Sequence, residues 1–465
     1  MSPMVRMQRY ASPTGNIRTP GPATGSGRGS SALWVCVLYW LIVARVIVPA
    51  DFDYNLSSAE MIANAAGSPL KGAIWQFIWL AFTAICAGLV MSRAGSALRL
   101  LRANPFLPCL ALWSIASVIW SIDPSATLAR FFHLSAILLC CLAVSIVNWN
   151  PKRFQDALTP VLTVFLAGSL LFALIAPDLA SDRPIPPDTT YVLHGLADQK
   201  NQLGAFASMG VILWLHRWLN DEARKIYALV GFVIASTCLI LSRSDTSILA
   251  TATICIYMTV ALRIGRSKQR YMGRVAGGMA IFTVIYLLLA QGIIPGLNYI
   301  VDLITVLTGK DATFSNRTVI WQILWEHINL NPFIGSGYGA YWKFEPDSPS
   351  FVFLSRMGFY PGECHNGYVE ILNDLGYVGV GLLAAYLTVY FRLALTLLKS
   401  NYAQGILYIA MFLQQLITNA SESHWLFIST DCLMFTLASF CLVQNVALSG
   451  RALGGSSFRS RARLA

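Results

Sequence analysis

The sequence predicts an all-α polytopic membrane protein with about twelve transmembrane helices, and three observations lead to this prediction. Of the 465 residues, 56% are hydrophobic and only 12% are charged, whereas an ordinary soluble domain carries about 25% charged residues. Apolar runs long enough to cross about 30 Å of hydrocarbon recur along the chain, and they are continuous rather than alternating, which favours helices over a barrel. Lys and Arg residues are concentrated in alternate connecting segments, as is typical of membrane proteins.

The predicted spans divide the chain into connecting segments whose charges indicate its orientation. Their approximate bounds are 32–50, 73–92, 105–120, 128–148, 157–177, 200–219, 226–242, 247–263, 275–295, 367–390, 404–420 and 425–446. With the N-terminus placed inside, the inside segments hold 23 of the 33 Lys and Arg residues and the outside segments hold nine, with Arg45 in the first span. Because cytoplasmic segments are enriched in Lys and Arg, this distribution predicts cytoplasmic N- and C-termini.

The chain outside the spans is predicted to form two tails and one large loop. Residues 1–31 are rich in Ser, Pro, Gly, Thr and Arg, which predicts a disordered cytoplasmic tail. Residues 32–446 are predicted to form one polytopic membrane domain, and residues 447–465 a basic cytoplasmic tail. The large periplasmic loop, residues 296–366, directly precedes the tenth span and is long enough to hold structure of its own.

A capped amphipathic helix is predicted within this large loop. Ser315 and Asn316 precede a run of apolar residues at helical spacing, and the run stops before Pro332. Arg317 is therefore expected in the first turn of the helix. The glycine-rich segment 335–339 follows, which predicts a turn or a close approach of two backbone segments.

Composition and residue spacing favour neither a nucleic-acid interface nor a disulfide framework nor a metal site. The net charge of +11 is explained by the Lys and Arg residues of the inside segments, so no nucleic-acid interface is predicted. The cysteines show no CxxC spacing, and Cys364 is the one obvious loop thiol. The histidines form no metal-ligand spacing, so we predict neither a metal site nor a cofactor.

Three basic residues at the outside ends of helices point to an anionic substrate. Arg243 lies in a very short turn between two spans, Lys200 opens the sixth span, and Arg317 lies at a helix N-terminus, which favours phosphate. A salt bridge to Asp245 is an alternative role for Arg243, and an interfacial anchor is an alternative role for Lys200. Because a diphosphate needs several donors, three cations on one membrane face suit a pyrophosphate-linked lipid.

A histidine at the end of the large loop is the candidate general base. His365 immediately precedes the tenth span, and an imidazole with its ordinary pKa of about 6.5 accepts a proton at neutral pH. A merely solvated loop histidine is the alternative. Glu370, Asn373 and Asp374 follow on one helix face, where they can orient this base or accept hydrogen bonds from sugar hydroxyl groups.

Aromatic and small residues complete the candidate site. Tyr338, Trp342 and Tyr360 can stack on sugar rings, and seating the loop on the bilayer surface is an equally good role for them. Gly376 and Gly379 are interpreted as a place where two membrane helices approach closely.

Six short segments, in their order along the chain, carry a family resemblance. They are Trp-Ser-Ile-Asp-Pro at 120–124 with Arg130 following, Gln-Lys-Asn-Gln-Leu-Gly at 199–204, Leu-Ser-Arg-Ser-Asp-Thr-Ser around Arg243, Asn-Arg-Thr-Val-Ile-Trp from 316, Asn-Pro-Phe-Ile-Gly-Ser-Gly-Tyr-Gly from 331, and the segment that begins at His365. The last is the most specific, because His365-Asn366, nine intervening residues and Gly-Tyr-Val-Gly at 376–379 reproduce a whole signature. The chain thus resembles the O-antigen ligase and O-antigen polymerase superfamily, and within it exopolysaccharide polymerases of the succinoglycan type.

The resemblance implies transfer of a glycan from undecaprenyl diphosphate to a sugar hydroxyl at the periplasmic face of the bacterial inner membrane. The implied reaction inverts the anomeric carbon and uses no metal. In it, Arg243 and Arg317 bind the diphosphate leaving group, and His365 deprotonates or positions the acceptor hydroxyl. The candidate substrate-binding residues are Lys200, Arg130, Glu370, Tyr338 and Trp342.

The resemblance leaves the acceptor open. A polymerase, which overall likeness favours, uses a second lipid-linked glycan, whereas a ligase uses lipid A core or a protein. A transporter for a lipid-linked sugar would show repeated halves and charges at the bilayer midplane, and a structural subunit of an assembly complex would need no essential charged residue. The implied partners are an undecaprenyl-diphosphate-linked glycan, membrane lipid, a polysaccharide chain-length regulator and export proteins.

Overall fold

The computed structural model describes most of the chain beyond residue 68. The described residues are 69–147, 150–182, 191–197, 199–290, 317–427 and 429–461, together with Val37, Tyr39 and Trp40. The predicted tail at 1–31 and the start of the large loop, including the predicted capping residues Ser315 and Asn316, lie outside the described residues.

Within these ranges the chain is mostly helical. The helices are α1 (Pro69–Met91), α2 (Ala94–Ala103), α3 (Phe106–Ala116), α4 (Pro124–Ile146), α5 (Arg153–Ile175), α6 (Pro177–Ala180), α7 (Lys200–Leu219), α8 (Lys225–Leu241), α9 (Asp245–Ile264), α10 (Gln269–Ala290), α11 (Arg317–Ile328), α12 (Val352–Met357), α13 (Gly367–Ser400), α14 (Tyr402–Thr418) and α15 (Thr430–Arg461). The strands β1 (Ser181–Asp182) and β2 (Val192–Leu193) pair antiparallel, with Ser181 opposite Leu193.

Five of the described helices are long and apolar enough to cross a membrane. They are α4, α5, α9, α13 and residues Thr430–Leu448 of α15. The pair α1 and α2, bent by 92°, would be a sixth if it is one broken span, and α3 and α8 are apolar but shorter. The structure therefore supports an all-α polytopic membrane architecture, while the count of twelve spans and the periplasmic placement of the large loop remain predictions.

Three predicted boundaries shift near the C-terminus. Helix α13 begins at Gly367, as predicted, but extends to Ser400 rather than to 390. The last helix begins at Thr430 rather than at 425, and it continues to Arg461, past the predicted end of the membrane domain at 446. Residues 425–427 therefore lie in a turn before α15 and not inside a span.

Helix α13 is broken at Gly376, and the glycine-rich segment of the large loop packs into the break. Gly376 has φ 67° and ψ −167°, a conformation that is essentially restricted to glycine. The N–H of Ser336 donates to the carbonyl of Asn373 (2.9 Å), and the N–H of Tyr377 donates to the carbonyl of Pro332 (2.9 Å). Backbone groups freed by the break thus find partners in the loop. The close approach predicted at Gly376 is made by this loop and not by a second helix.

Gly376→Ala is expected to destabilise the protein by about 1–3 kcal/mol, the cost of this backbone conformation for a residue with a Cβ. The added Cβ would also lie 2.3 Å from the carbonyl oxygen of Phe333. The measurement is the Tm of the purified chain in detergent. Gly381→Ala is the control on the same helix, because a Cβ there meets nothing within 4 Å. Equal Tm values for the two variants would contradict this interpretation of the break.

The described part of the large loop holds structure of its own, as predicted. Helix α11 buries Trp321 and Leu324 against Trp342 and Phe353, in a small core separate from that of the helix bundle. The helix begins at Arg317 and ends at Ile328, before Pro332. The loop is therefore a folded unit that can hold side chains in fixed positions.

The N-terminus of α4 anchors this loop to the bundle. Asp123 caps the helix by accepting a hydrogen bond from the N–H of Ser125 (3.0 Å). Its other oxygen lies 3.0 Å from the Nζ of Lys343 in the loop. The N–H of Ile122 donates to the carbonyl of Ser336 at 2.9 Å. These contacts keep the start of α4, the loop and the start of α13 at one end of the bundle.

Segments that are predicted to be cytoplasmic meet at the other end of the helix bundle, away from the large loop. His216 lies in the last turn of α7, and its Nδ1 is 2.9 Å from the Nε2 of Gln155 near the start of α5. Gln404, at the start of α14, donates to the Oε1 of Gln155 at 2.8 Å. All three side chains are buried. The predicted inside and outside segments therefore gather at separate ends of the bundle.

Candidate active site

Backbone contacts hold His365 at the start of α13. Asn366, the N-cap of this helix, accepts a hydrogen bond from the N–H of Tyr368 at 3.0 Å. The N–H of Gly367 donates to the carbonyl of Glu422 at 3.0 Å. His365 itself has a positive φ of 50°. Because this conformation is costly for a residue with a side chain, and such residues cluster at functional sites, it supports a functional role for His365.

Two carboxylates flank the imidazole of His365. Its Nδ1 lies 3.1 Å from the Oε1 of Glu363 and 3.2 Å from the Oε2 of Glu422. Burial disfavours the charged ring, but the hydrogen bonds and charges of both carboxylates outweigh burial and raise the pKa of His365 to about 9. The imidazole is therefore mostly protonated at neutral pH, unlike the histidine of ordinary pKa that the sequence suggests.

Glu422 connects His365 to Arg317. Its Oε1 accepts hydrogen bonds from the Nη2 of Arg317 at 2.7 Å and from the Nδ2 of Asn201 at 2.8 Å. Burial opposes the charge on Glu422, but the hydrogen bond from His365 and the charges of Arg317 and His365 lower its pKa. Glu422 is thus a buried, ionised carboxylate that fixes a cation and an imidazole beside each other.

Arg243 and Lys200 lie at neighbouring helix ends. Lys200 is exposed at the first residue of α7 and adjoins Asn201 in the sequence. Arg243 is exposed in the turn between α8 and α9, and it has a positive φ of 49°. This turn packs against α7 at Gly204, where an added Cβ would lie 2.7 Å from the Cβ of Ser244. Both cations therefore adjoin the helix end that supplies Asn201.

The other candidate residues lie around the first turns of α13. Glu370 accepts hydrogen bonds from the Nε1 of Trp342 (2.9 Å) and from the N–H of Cys364 (3.0 Å). Trp342 is only 6% exposed, and its ring nitrogen holds Glu370 in place. Arg130 and Tyr338 line a cavity together with Glu370.

Sequence patterns do not point to three polar residues of the cluster, Glu422, Glu363 and Asn201. Glu422 lies in a short turn between the last two predicted spans, where a single acidic residue has no periodic pattern. The sequence does contain one signal for Glu422, which is that its turn falls on the same predicted membrane face as Arg317 and His365. Ionisable residues at that face are functional candidates.

The donor set of the cluster also resembles a metal site. Glu363, His365 and Glu422 each offer one ligand atom, and these atoms all lie within 4.8 Å of one another. The ion pair between Glu422 and Arg317, together with the hydrogen bonds to the imidazole, accounts for this geometry with protein groups alone. Cys364 is fully buried, and burial raises the pKa of its thiol, which argues against a thiolate nucleophile.

Comparison with known proteins supports the resemblance found in the sequence. Residues 230–384 match the model of the O-antigen ligase family, and this stretch contains Arg243, Arg317 and His365. The chain is 30% identical over 294 residues to a protein described as exopolysaccharide production protein ExoQ, from Rhizobium meliloti strain 1021. The match covers 60% of this chain and 62% of that relative, which is less than two thirds of the relative's length. Glu422 lies outside the stretch that matches the family model.

Proposed function

Because this chain is similar to the O-antigen ligase family and to an exopolysaccharide production protein, we propose that it is a glycan polymerase in exopolysaccharide or O-antigen synthesis. It transfers an oligosaccharide from undecaprenyl diphosphate to a hydroxyl of a second lipid-linked glycan, at the periplasmic face of the bacterial inner membrane. The observation that carries the proposal is the cluster of Arg317, Glu422 and His365, which joins a cation for the leaving group to a base for the acceptor. The relative's description as an exopolysaccharide production protein favours polymerisation.

The leaving group of this reaction is a diphosphate, which gains negative charge as its bond to the anomeric carbon breaks. Arg317 uses one nitrogen to bind Glu422, and a guanidinium carries five N–H donors, so it can also bind phosphoryl oxygens. Arg243 supplies a second planar fork of donors, and Lys200 supplies a third cation. Preorganised cations of this kind stabilise the developing charge without a metal.

His365 acts on the acceptor. The acceptor oxygen attacks the anomeric carbon from the face opposite the diphosphate, its proton passes to His365, and undecaprenyl diphosphate leaves, so that the configuration inverts. With a pKa of about 9, about one imidazole in a hundred is neutral at pH 7. A base of higher pKa is also a stronger proton acceptor. We therefore expect the rate to rise with pH and to level off near pH 9.

Ligation of glycan to lipid A core, or to a protein, is the second candidate function. The specific observation in its favour is that the matching family model is described as O-antigen ligase. Polymerase and ligase break the same bond to diphosphate and need the same cations, so they differ in the acceptor alone.

Cells that lack this chain provide the test of the proposal. Wild type is expected to restore a high-mass ladder of surface and secreted glycan on a gel, whereas His365→Ala should leave single lipid-linked units. Membrane levels of both forms are compared by immunoblot as the control. Polymer that forms in the variant but stays on undecaprenyl diphosphate would identify a ligase. A wild-type ladder from His365→Ala would contradict an enzymatic role for the cluster and favour a transporter or a structural subunit.

A further inference from the structure

A cavity of about 280 Å³ lies beside the first turns of α13, at Glu370 and Asp374. The polar residues in its wall are Arg130, Glu370 and Asp374, and the aromatic residues are Tyr338, Trp425 and Phe427. Arg130 and Phe427 are half-buried, whereas the others are buried. A ligand therefore enters past Arg130 and Phe427.

We infer that this cavity binds one sugar ring of the acceptor glycan. The inference rests on the proposed function for the identity of the acceptor and adds a subsite to it. A volume of about 280 Å³ corresponds to about nine water molecules at about 30 Å³ each. This space suits a single sugar ring better than an oligosaccharide or a polyprenyl chain.

The charged groups in the cavity favour hydroxyl groups over a diphosphate. Two carboxyl groups, from Glu370 and Asp374, accompany one guanidinium, from Arg130. The cavity therefore lacks the excess of cations that a diphosphate requires. Hydroxyl groups both donate to carboxylates and accept from a guanidinium, so they match both kinds of group.

These polar side chains keep hydrogen-bonding capacity for a ligand. Asp374 accepts two hydrogen bonds from the protein, whereas a carboxylate has about four acceptor positions. Arg130 makes no salt bridge with any of the described residues, and its guanidinium lies over the ring of Phe427, 5.7 Å from the centroid. Free acceptors and free donors thus face the same cavity.

Aromatic rings in the wall of the cavity and a strained backbone in its turn are two further features that favour a binding site for a sugar. Trp425 and Phe427 offer ring faces on which the apolar face of a sugar can stack. Leu426, between them, has a positive φ of 56°. Strain of this kind in a residue with a side chain is typical of functional turns.

Glu370 joins the cavity to the catalytic cluster. Its Oε2 accepts hydrogen bonds from the N–H of Cys364 (3.0 Å) and from the Oγ of Ser423 (3.1 Å). Cys364 immediately precedes His365, and Ser423 immediately follows Glu422. Glu370 therefore links the wall of the cavity to the two chain segments that carry His365 and Glu422.

Binding of a lipid-free oligosaccharide to the full chain in lipid nanodiscs tests the inference. The probe is the repeat unit released by mild acid from the exopolysaccharide of wild-type cells, and its affinity is measured by calorimetry. Phe427→Ala and Asp374→Asn are each expected to weaken binding about tenfold, which is about 1.4 kcal/mol. Phe427→Trp keeps an aromatic face and should retain binding, which separates lost stacking from misfolding.

Two further variants make the outcome decisive. Phe359→Ala removes a loop aromatic that is 42% exposed and lies outside the cavity, and it should bind as wild type does. His365→Ala should keep oligosaccharide binding although it loses polymer, so failure of the subsite and failure of the proposed function are distinguishable. No binding by wild type, or equal binding by wild type, Phe427→Ala and Asp374→Asn, would overturn the subsite.

Discussion

Arg317→Ala is expected to abolish high-mass glycan while the chain still inserts into the membrane. The change removes the guanidinium that lies 2.7 Å from Glu422, and with it a donor for the diphosphate leaving group. Loss of one preorganised donor costs about 100-fold to 1,000-fold in rate. The measurement is a gel of surface and secreted glycan from complemented cells with equal membrane levels of the chain. Arg243→Ala and His365→Ala are expected to give the same loss.

Two arginine variants serve as controls for this result. Arg356 lies in the same loop and pairs with Glu326 at 2.8 Å, but their side chains are 46% and 63% exposed. Because such exposed pairs contribute little, Arg356→Ala should leave the ladder intact. Arg317→Lys keeps the charge and loses the planar fork, so partial activity is expected. A normal ladder from Arg317→Ala would contradict the role of Arg317.

Glu422→Gln is expected to move the pH dependence of polymer formation to lower pH and to lower its plateau. Glu422 is one of the two carboxylates that raise the pKa of His365 to about 9. Without its charge the pKa of His365 falls, so the base becomes neutral at lower pH and the rising part of the profile moves down. The plateau falls because the base is weaker and because Arg317 and Asn201 lose their ionised partner.

Initial rates of the purified chain with lipid-linked repeat units, from about pH 6 to about pH 10, measure this effect. Glu422→Asp keeps the charge and should hold the profile near that of wild type. Glu345→Gln is the control, because Glu345 is an exposed carboxylate in the loop that pairs with Lys343 at 2.8 Å. An unshifted profile in Glu422→Gln, or a wild-type rate that falls above pH 9, would show that His365 is not the base.

Local sequence patterns are sufficient for most of the helices and for part of the site. The predicted span 200–219 coincides with α7, and the predicted start at 367 coincides with the start of α13. The helix that begins at Arg317 follows from spacing and from Pro332 alone. These features are predictable because the length and the period of an apolar run are visible within one continuous segment of the sequence. The family resemblance follows from short motifs in order, for the same reason.

Only the tertiary structure decides which side chains meet. Glu422 is 57 residues from His365 and 105 from Arg317, and a single acidic residue in a turn leaves no pattern. The pKa of His365 depends on carboxylates brought to it by folding and not on the imidazole itself. The break at Gly376 depends in the same way on a loop segment that satisfies its freed backbone groups. The sequence by itself therefore determines the apolar helices, the family resemblance and the cations, whereas long-range packing determines how the cluster is assembled and charged.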